Sequence, residues 1–233
     1  MNSLRSLLVE GRVGEARALA VQMLEKVPDE PSAALALARL ALAEDDFQQA
    51  RRWLEVGEAR GVSADTLVLR GNLAVQHDDI SGAETYFFKA LELNPKKAEA
   101  FFGLGLLYRM TGHTARAREG FERAVAAETD VPLNGGVMHY QLAEVLLEQG
   151  DLRGGVEHLQ HALVLNPTLV AAYLATVRVF SQIKQYEAAK SVLEMGLQVL
   201  PQHPRLLEAR KKLGSTPAPA FDAKASMRGL WRA

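Results

Sequence analysis

The sequence predicts an all-α chain of about six stacked helical hairpins closed by a capping helix. Three observations carry this. Small and bulky residues recur at an interval of 34: Gly71 and Gly105, Ala83 and Ala117, Phe87 and Phe121, Ala90 and Ala124. Within one interval the spacing is helical, with Phe101, Leu104, Gly105 and Tyr108 on one face, then Ala117, Phe121 and Ala124 on another. The third, fifth and sixth units end at a proline, in Asn94-Pro95, Asn166-Pro167 and Leu200-Pro201, whereas the fourth has Thr129 at that place. Proline has no amide to donate and disfavours helix in the residue before it. β-Branched residues are scattered and never alternate as a strand requires.

In chain order, the first unit (1–30) is short and keeps Leu7, Gly11, Ala16 and Pro28. In the second (31–63), Ala50, Leu54 and Gly57 answer Ala16, Ala20 and Met23. The third (64–97) carries Leu67, Gly71, Ala74, Ala83, Phe87, Ala90 and Pro95. The fourth (98–131) carries Phe101, Leu104, Gly105, Tyr108, Ala117, Phe121 and Ala124. Leu142, Ala143, Leu146, Leu159, Ala162 and Pro167 mark the fifth (136–169); Tyr173, Phe180, Ala189, Leu193 and Pro201 mark the sixth (170–203). Two intervals deviate. Ala50 to Ala83 is 33, and Ala117 to Gly155 is 38, which inserts four residues around Pro132-Leu133-Asn134-Gly135. Both changes fall between units, where only surface turns are altered.

Residues 204–214 begin with a proline suited to a first helical turn, and Lys211 and Lys212 come near the negative end of its dipole. This is the expected solvating cap. Residues 215–233 read as a Pro/Ala linker and a short basic amphipathic tail. Met227, Leu230 and Trp231 could share one face there, making a possible docking tail for a partner or for the chain itself.

The pattern of these residues resembles the tetratricopeptide repeat, a helix–turn–helix unit of 34 residues, over nearly all of 1–214. The resemblance implies a right-handed α-solenoid and a non-catalytic scaffold or adaptor for protein–protein interaction. Such a protein would hold a peptide or helix of a partner in a concave groove. Carried over position by position, the groove would be lined by Asn72 in the third unit and by Phe102, Leu106, Arg109 and Met110 in the fourth. Tyr140, Glu144 and Leu147 would follow in the fifth and Arg178 in the sixth. Gly103 should lie off the packing face and leave backbone open to the groove. The alternative is that these residues bury against adjacent helices as ordinary core. The carboxylate clamp that some family members use on chaperone tails is not expected. Asn72 fits one of its places, but Val68, Gly103, Val137 and Gln141 stand where its other polar and basic residues would be. By family analogy the setting would be assembly of a bacterial pilus, secretion or motility complex. The alternative is self-assembly into a homo-oligomer through the tail.

Composition narrows the remaining classes. Among 233 residues, 27 Lys plus Arg face 28 Asp plus Glu, which argues against a dedicated nucleic-acid binder. There is no cysteine, so disulfides, thiolate metal sites and a cysteine nucleophile are excluded. A signal-peptide core and an apolar stretch of membrane-spanning length are missing, so a cytoplasmic protein with no integral membrane segment is the default. No phosphate loop, HExxH or GxSxG motif occurs, so no cofactor and no catalytic residue is expected. His158 and His161 could share one helix face, but a third ligand is not evident and both are expected on the solvated surface. Asp45-Asp46 and Asp78-Asp79 are paired carboxylates best read as turn formers and helix-start acids.

Overall fold

The computed structural model describes residues 3–127 and 135–214. Thirteen helices and no strand occur among these residues. The chain divides into two compact units, Met1–Asn134 and Gly135–Ala233. The first holds four helical hairpins: α1 (Leu4–Val9) with α2 (Val13–Lys26), α3 (Pro31–Ala43) with α4 (Phe47–Glu58), α5 (Ala64–Gln76) with α6 (Ile80–Leu93), and α7 (Ala98–Met110) with α8 (Thr114–Ala126). The second holds α9 (Gly135–Glu148) with α10 (Leu152–Leu165), α11 (Val170–Gln182) with α12 (Tyr186–Val199), and α13 (Pro204–Gly214). The inserted residues Pro132, Leu133 and Asn134 and the tail lie outside the described residues.

Each hairpin turn needs one residue in the left-handed region. Gly11, Asp45, Asp78, Gly112, Gly150 and Lys184 all have positive φ, between 57° and 84°. They repeat the sequence interval with its two deviations, so one backbone device closes all six hairpins. Asp46, Asp79 and Asp151 follow at once and cap the next helix, accepting from the amides of Gln49, Gly82 and Gly154. The paired carboxylates are therefore turn formers and N-caps. Arg12, His113 and Gln185 occupy the same place without a side-chain cap. Between hairpins, the Asn94 and Asn166 side chains accept from the amides of Lys96 and Thr168 (3.1 Å each), which folds the chain back ahead of the next helix.

The packing explains the interval. Leu54, Phe87, Phe121, Leu159 and Leu193 are equivalent in the repeat, and each is at most 1% exposed. Each is flanked one turn either side by a small residue, such as Ala83 and Ala90 around Phe87, so that a bulky residue can enter between helices. α7 and α8 approach closely at Gly105 and Gly120, where a Cβ on Gly120 would stand 2.8 Å from the Gly105 Cα. A Cβ on Gly105 would stand 2.6 Å from the Phe121 ring. The expectation that Gly105 marks a close helix crossing holds; its partner Gly120 was not legible beforehand.

Gly103 is corrected by the same geometry. It is buried, and a Cβ there would overlap the Phe87 ring of α6. Phe87 is held between Gly71 of α5 and Gly103 of α7. Gly103 is therefore a packing residue and leaves no open backbone for a ligand.

In the second unit, α13 covers α12 with Leu206 and Leu213 buried in one cluster with Tyr173, Val177, Phe180, Val192 and Leu193. It behaves as a terminal helix should, with an apolar inner face and Lys211 and Lys212 in its last turn.

Candidate partner-binding surfaces

The first helix of each hairpin has three faces. On α7, Phe101, Leu104, Gly105 and Tyr108 are buried, as are Ala100, Gly103 and Leu107. The third face carries Phe102, Leu106, Arg109 and Met110, spaced so that they form one stripe. Phe102, Leu106 and Arg109 are half-buried, and Met110 is 59% exposed. Phe102 leans on Phe121 with ring centroids 5.7 Å apart, which holds its ring while leaving part of it open. Asn72 is the α5 counterpart of Leu106 and is half-buried, whereas Val68, one turn earlier, is buried. At the start of α5 and α7, Lys97 joins Asp65 (2.8 Å) and Glu99 (3.2 Å).

In the second unit the corresponding residues are more engaged. Tyr140 and Leu147 are half-buried and pack on the cluster of Ala143, Leu159 and Ala162. The Leu147 side chain lies over Gly155, where a Cβ would come within 2.5 Å of it. Glu144 of α9 accepts from Arg178 of α11 at 2.7 Å, so these two rim charges neutralise each other. The expected apolar strip is thus split in character. α7 presents side chains outward, while α9 turns two of them into its own hairpin.

A histidine cluster lies in the α9–α10 hairpin. His139 is 7% exposed, and its Nδ1 is 2.9 Å from the His158 Nδ1. Its ring also stacks on His161 with centroids 5.1 Å apart. One of the two Nδ1 atoms must carry the proton and the other accept it, which requires at least one neutral ring. Burial, then the facing charges of His158 and His161, push the His139 pKa down to about 4. Of the two histidines expected on the solvated surface, His161 is exposed, but His158 is corrected: it is half-buried against His139. His139 was missed, although it and His158 lie eleven residues before and eight after Gly150, on the two helices of one hairpin. Among the described residues no group of three or more His, Asp or Glu is placed to hold a metal ion.

Two crevices lie on the other side of the hairpins, between consecutive second helices. In the first unit, one of about 150 Å³ runs between α6 and α8 over Phe101, Leu104 and Tyr108 of α7. It is covered by the Arg123 guanidinium, 4.5 Å above the Phe101 ring, and by Arg116, 3.9 Å above Tyr108. The Tyr108 hydroxyl donates to Glu84, and burial with that bond raises its pKa to about 12. In the second unit, a crevice of about 440 Å³ runs between α10 and α12 over Tyr173 and Thr176 of α11. Its walls are Leu163, Val164, Pro167, Val192 and Met195. Neither crevice was anticipated.

Comparison with known proteins assigns the family. Models described as tetratricopeptide repeat match residues 7–67 and 146–213, and another of the same description matches 68–132. The chain belongs to the tetratricopeptide repeat family. An uncharacterized protein of Methanocaldococcus jannaschii is 44% identical over 50 residues, which span 22% of this chain and 58% of that protein. A chain of the APC/C hetero-tetramer Cut9–Hcn1 superposes with a TM-score of 0.73 at 16% identity, over 89% of this chain and 41% of that one. PilF of Pseudomonas aeruginosa gives 0.62 at 17% identity, over 90% of this chain and 97% of that one. PilW, a type IV pilus biogenesis factor, gives 0.64 at 17%, over 89% and 95%. These likenesses show the repeat fold. No helix among the described residues is long and apolar enough to cross a membrane.

Proposed function

We propose that this protein is a non-catalytic scaffold that grips a peptide or helix of a partner protein on the outward faces of its first helices. The observation that carries this reading is the α7 stripe. Met110 is exposed and Phe102 and Leu106 stay partly open after α7 has packed on α5, α6 and α8, with Arg109 beside them. Apolar anchors next to a charged rim are what a binding hot spot requires, and methionine adapts to varied partners. Tyr140, Glu144 and Arg178 offer a second, more polar surface in the other unit. Assembly of a pilus, secretion or motility complex is the most specific form of the proposal; PilF and PilW, which share the fold, suggest it.

The test is affinity capture from extract of the native cell with the wild-type chain, Leu106→Glu/Met110→Glu and Tyr140→Ala, all first shown to be equally helical. Recovery of a specific partner should fall at least tenfold with the α7 variant, about 1.4 kcal/mol or more. Undiminished recovery by every variant would move the binding surface elsewhere.

A further inference from the structure

The two crevices are the same place in the repeat, 72 residues apart. Phe101 corresponds to Tyr173, Leu104 to Thr176, Gly120 to Val192 and Arg123 to Met195. In the first unit the chain lays its own cation over the aromatic floor, at 4.5 Å. In the second the arginine is a methionine, Glu92 is answered by Val164, and Arg116 is answered by Ala188. The result is a wider, apolar crevice whose wall residue Val164 is 77% exposed. We propose that this crevice between α10 and α12 is the seat of the chain's own residues 215–233, which lay Met227, Leu230 and Trp231 into it.

Four features favour this occupant. The capping helix ends with Leu213 buried in the cluster that contains Tyr173 and Val192, and Leu163 and Met195 pack on that same cluster. The segment therefore departs from the apolar body that floors the crevice. Reach is ample: the residues from Gly214 to Met227 span up to about 45 Å extended, against about 20 Å for the full length of α12. The chemistry matches what the upstream crevice has and this one lacks, because Arg228 and Arg232 flank Leu230-Trp231 and can bring a cation with the apolar anchors. Finally, α10 and α12 have no basic residue in their last turns, and Glu157 and Glu194 are exposed on them. Lys224, Arg228 and Arg232 suit those negative helix ends. Tethering keeps the segment at an effective concentration near millimolar, so even modest contacts hold it. The proposal is independent of the α7 surface.

The chain has two tryptophans, Trp53 and Trp231. In full-length Trp53→Phe, Trp231 should emit at the wavelength of a shielded indole and resist iodide quenching, equally at all protein concentrations. Adding Met195→Arg, which restores the upstream residue, should move the emission to that of a solvated indole. The absence of cysteine allows a second measurement with Trp53 intact. Val164→Cys with Leu230→Cys should close an intramolecular disulfide in dilute solution, and Val21→Cys with Leu230→Cys should not. Solvated emission before Met195→Arg, shielded emission that ignores Met195→Arg, or equal cross-linking of both pairs overturns the proposal. So does shielding that disappears on dilution, which would assign the crevice to the tail of a second copy.

Discussion

Gly103 shows how far one residue can be read. Its position on α7 made it a candidate for open groove backbone, and a glycine in such a place would gain about 1 kcal/mol on becoming alanine. Beneath the Phe87 ring the sign reverses, because the added methyl has no room. Gly103→Ala should destabilise the chain by about 1–3 kcal/mol, measured as a lower urea midpoint at unchanged slope. The repeat interval identifies which residues pack, but Gly103 meets a ring from the preceding hairpin. That contact depends on how neighbouring helices cross, which the interval does not encode. His139 follows the same logic, since its partners lie across a turn. Its folded pKa is below the ordinary value, so its neutral form is favoured by folding. The associated stability is complete above pH 6.5 and is lost as the pH falls from there toward about 4. Urea midpoints between pH 7 and 4.5 should fall more steeply for wild type than for His139→Gln; parallel curves would mean that the ring protonates freely in the folded chain.

At the scale of helices and turns, the sequence was most transparent. The Asn-Pro stops, the Asp pairs and the glycines in the hairpin turns each have a local cause, so their roles were legible before any tertiary contact was known. What escaped was that one left-handed residue closes all six hairpins, because Asp and Lys disguise it at three of them. Lys184 is the least suited, having a β-carbon with a φ of 61° and no capping carboxylate after it. The Gly150-Asp151 turn shows the preferred solution in the neighbouring hairpin. Copying it as Lys184→Gly/Gln185→Asp should stabilise the second unit by about 1–2 kcal/mol, from relief of the left-handed strain and a new N-cap. Thermal unfolding followed by circular dichroism would detect this, and an unchanged or lower midpoint would contradict it.

At the scale of the molecule, a repeat chain is legible because most of its contacts are local. Within each unit a hairpin buries residues of its own and of the next, so the pattern of small and bulky residues specifies the stack there. Function was less legible for the same reason. The residues that could meet a partner are those the stacking pattern leaves unspecified, and half of the expected strip turned out to be engaged at home. Leu147 lies over Gly155, and Arg178 is paired with Glu144. The α7 stripe keeps Met110 exposed and Phe102, Leu106 and Arg109 half-buried, and the crevice between α10 and α12 differs from its upstream counterpart by side chains that the interval does not prescribe.

The most direct measurement is hydrogen exchange of the full-length chain with and without its captured partner. The account predicts slowed exchange over Ala98–Met110, lost in Leu106→Glu/Met110→Glu, with the second helices α6 and α8 little changed. Slowed exchange confined to α6 and α8, with α7 unaffected, would contradict it.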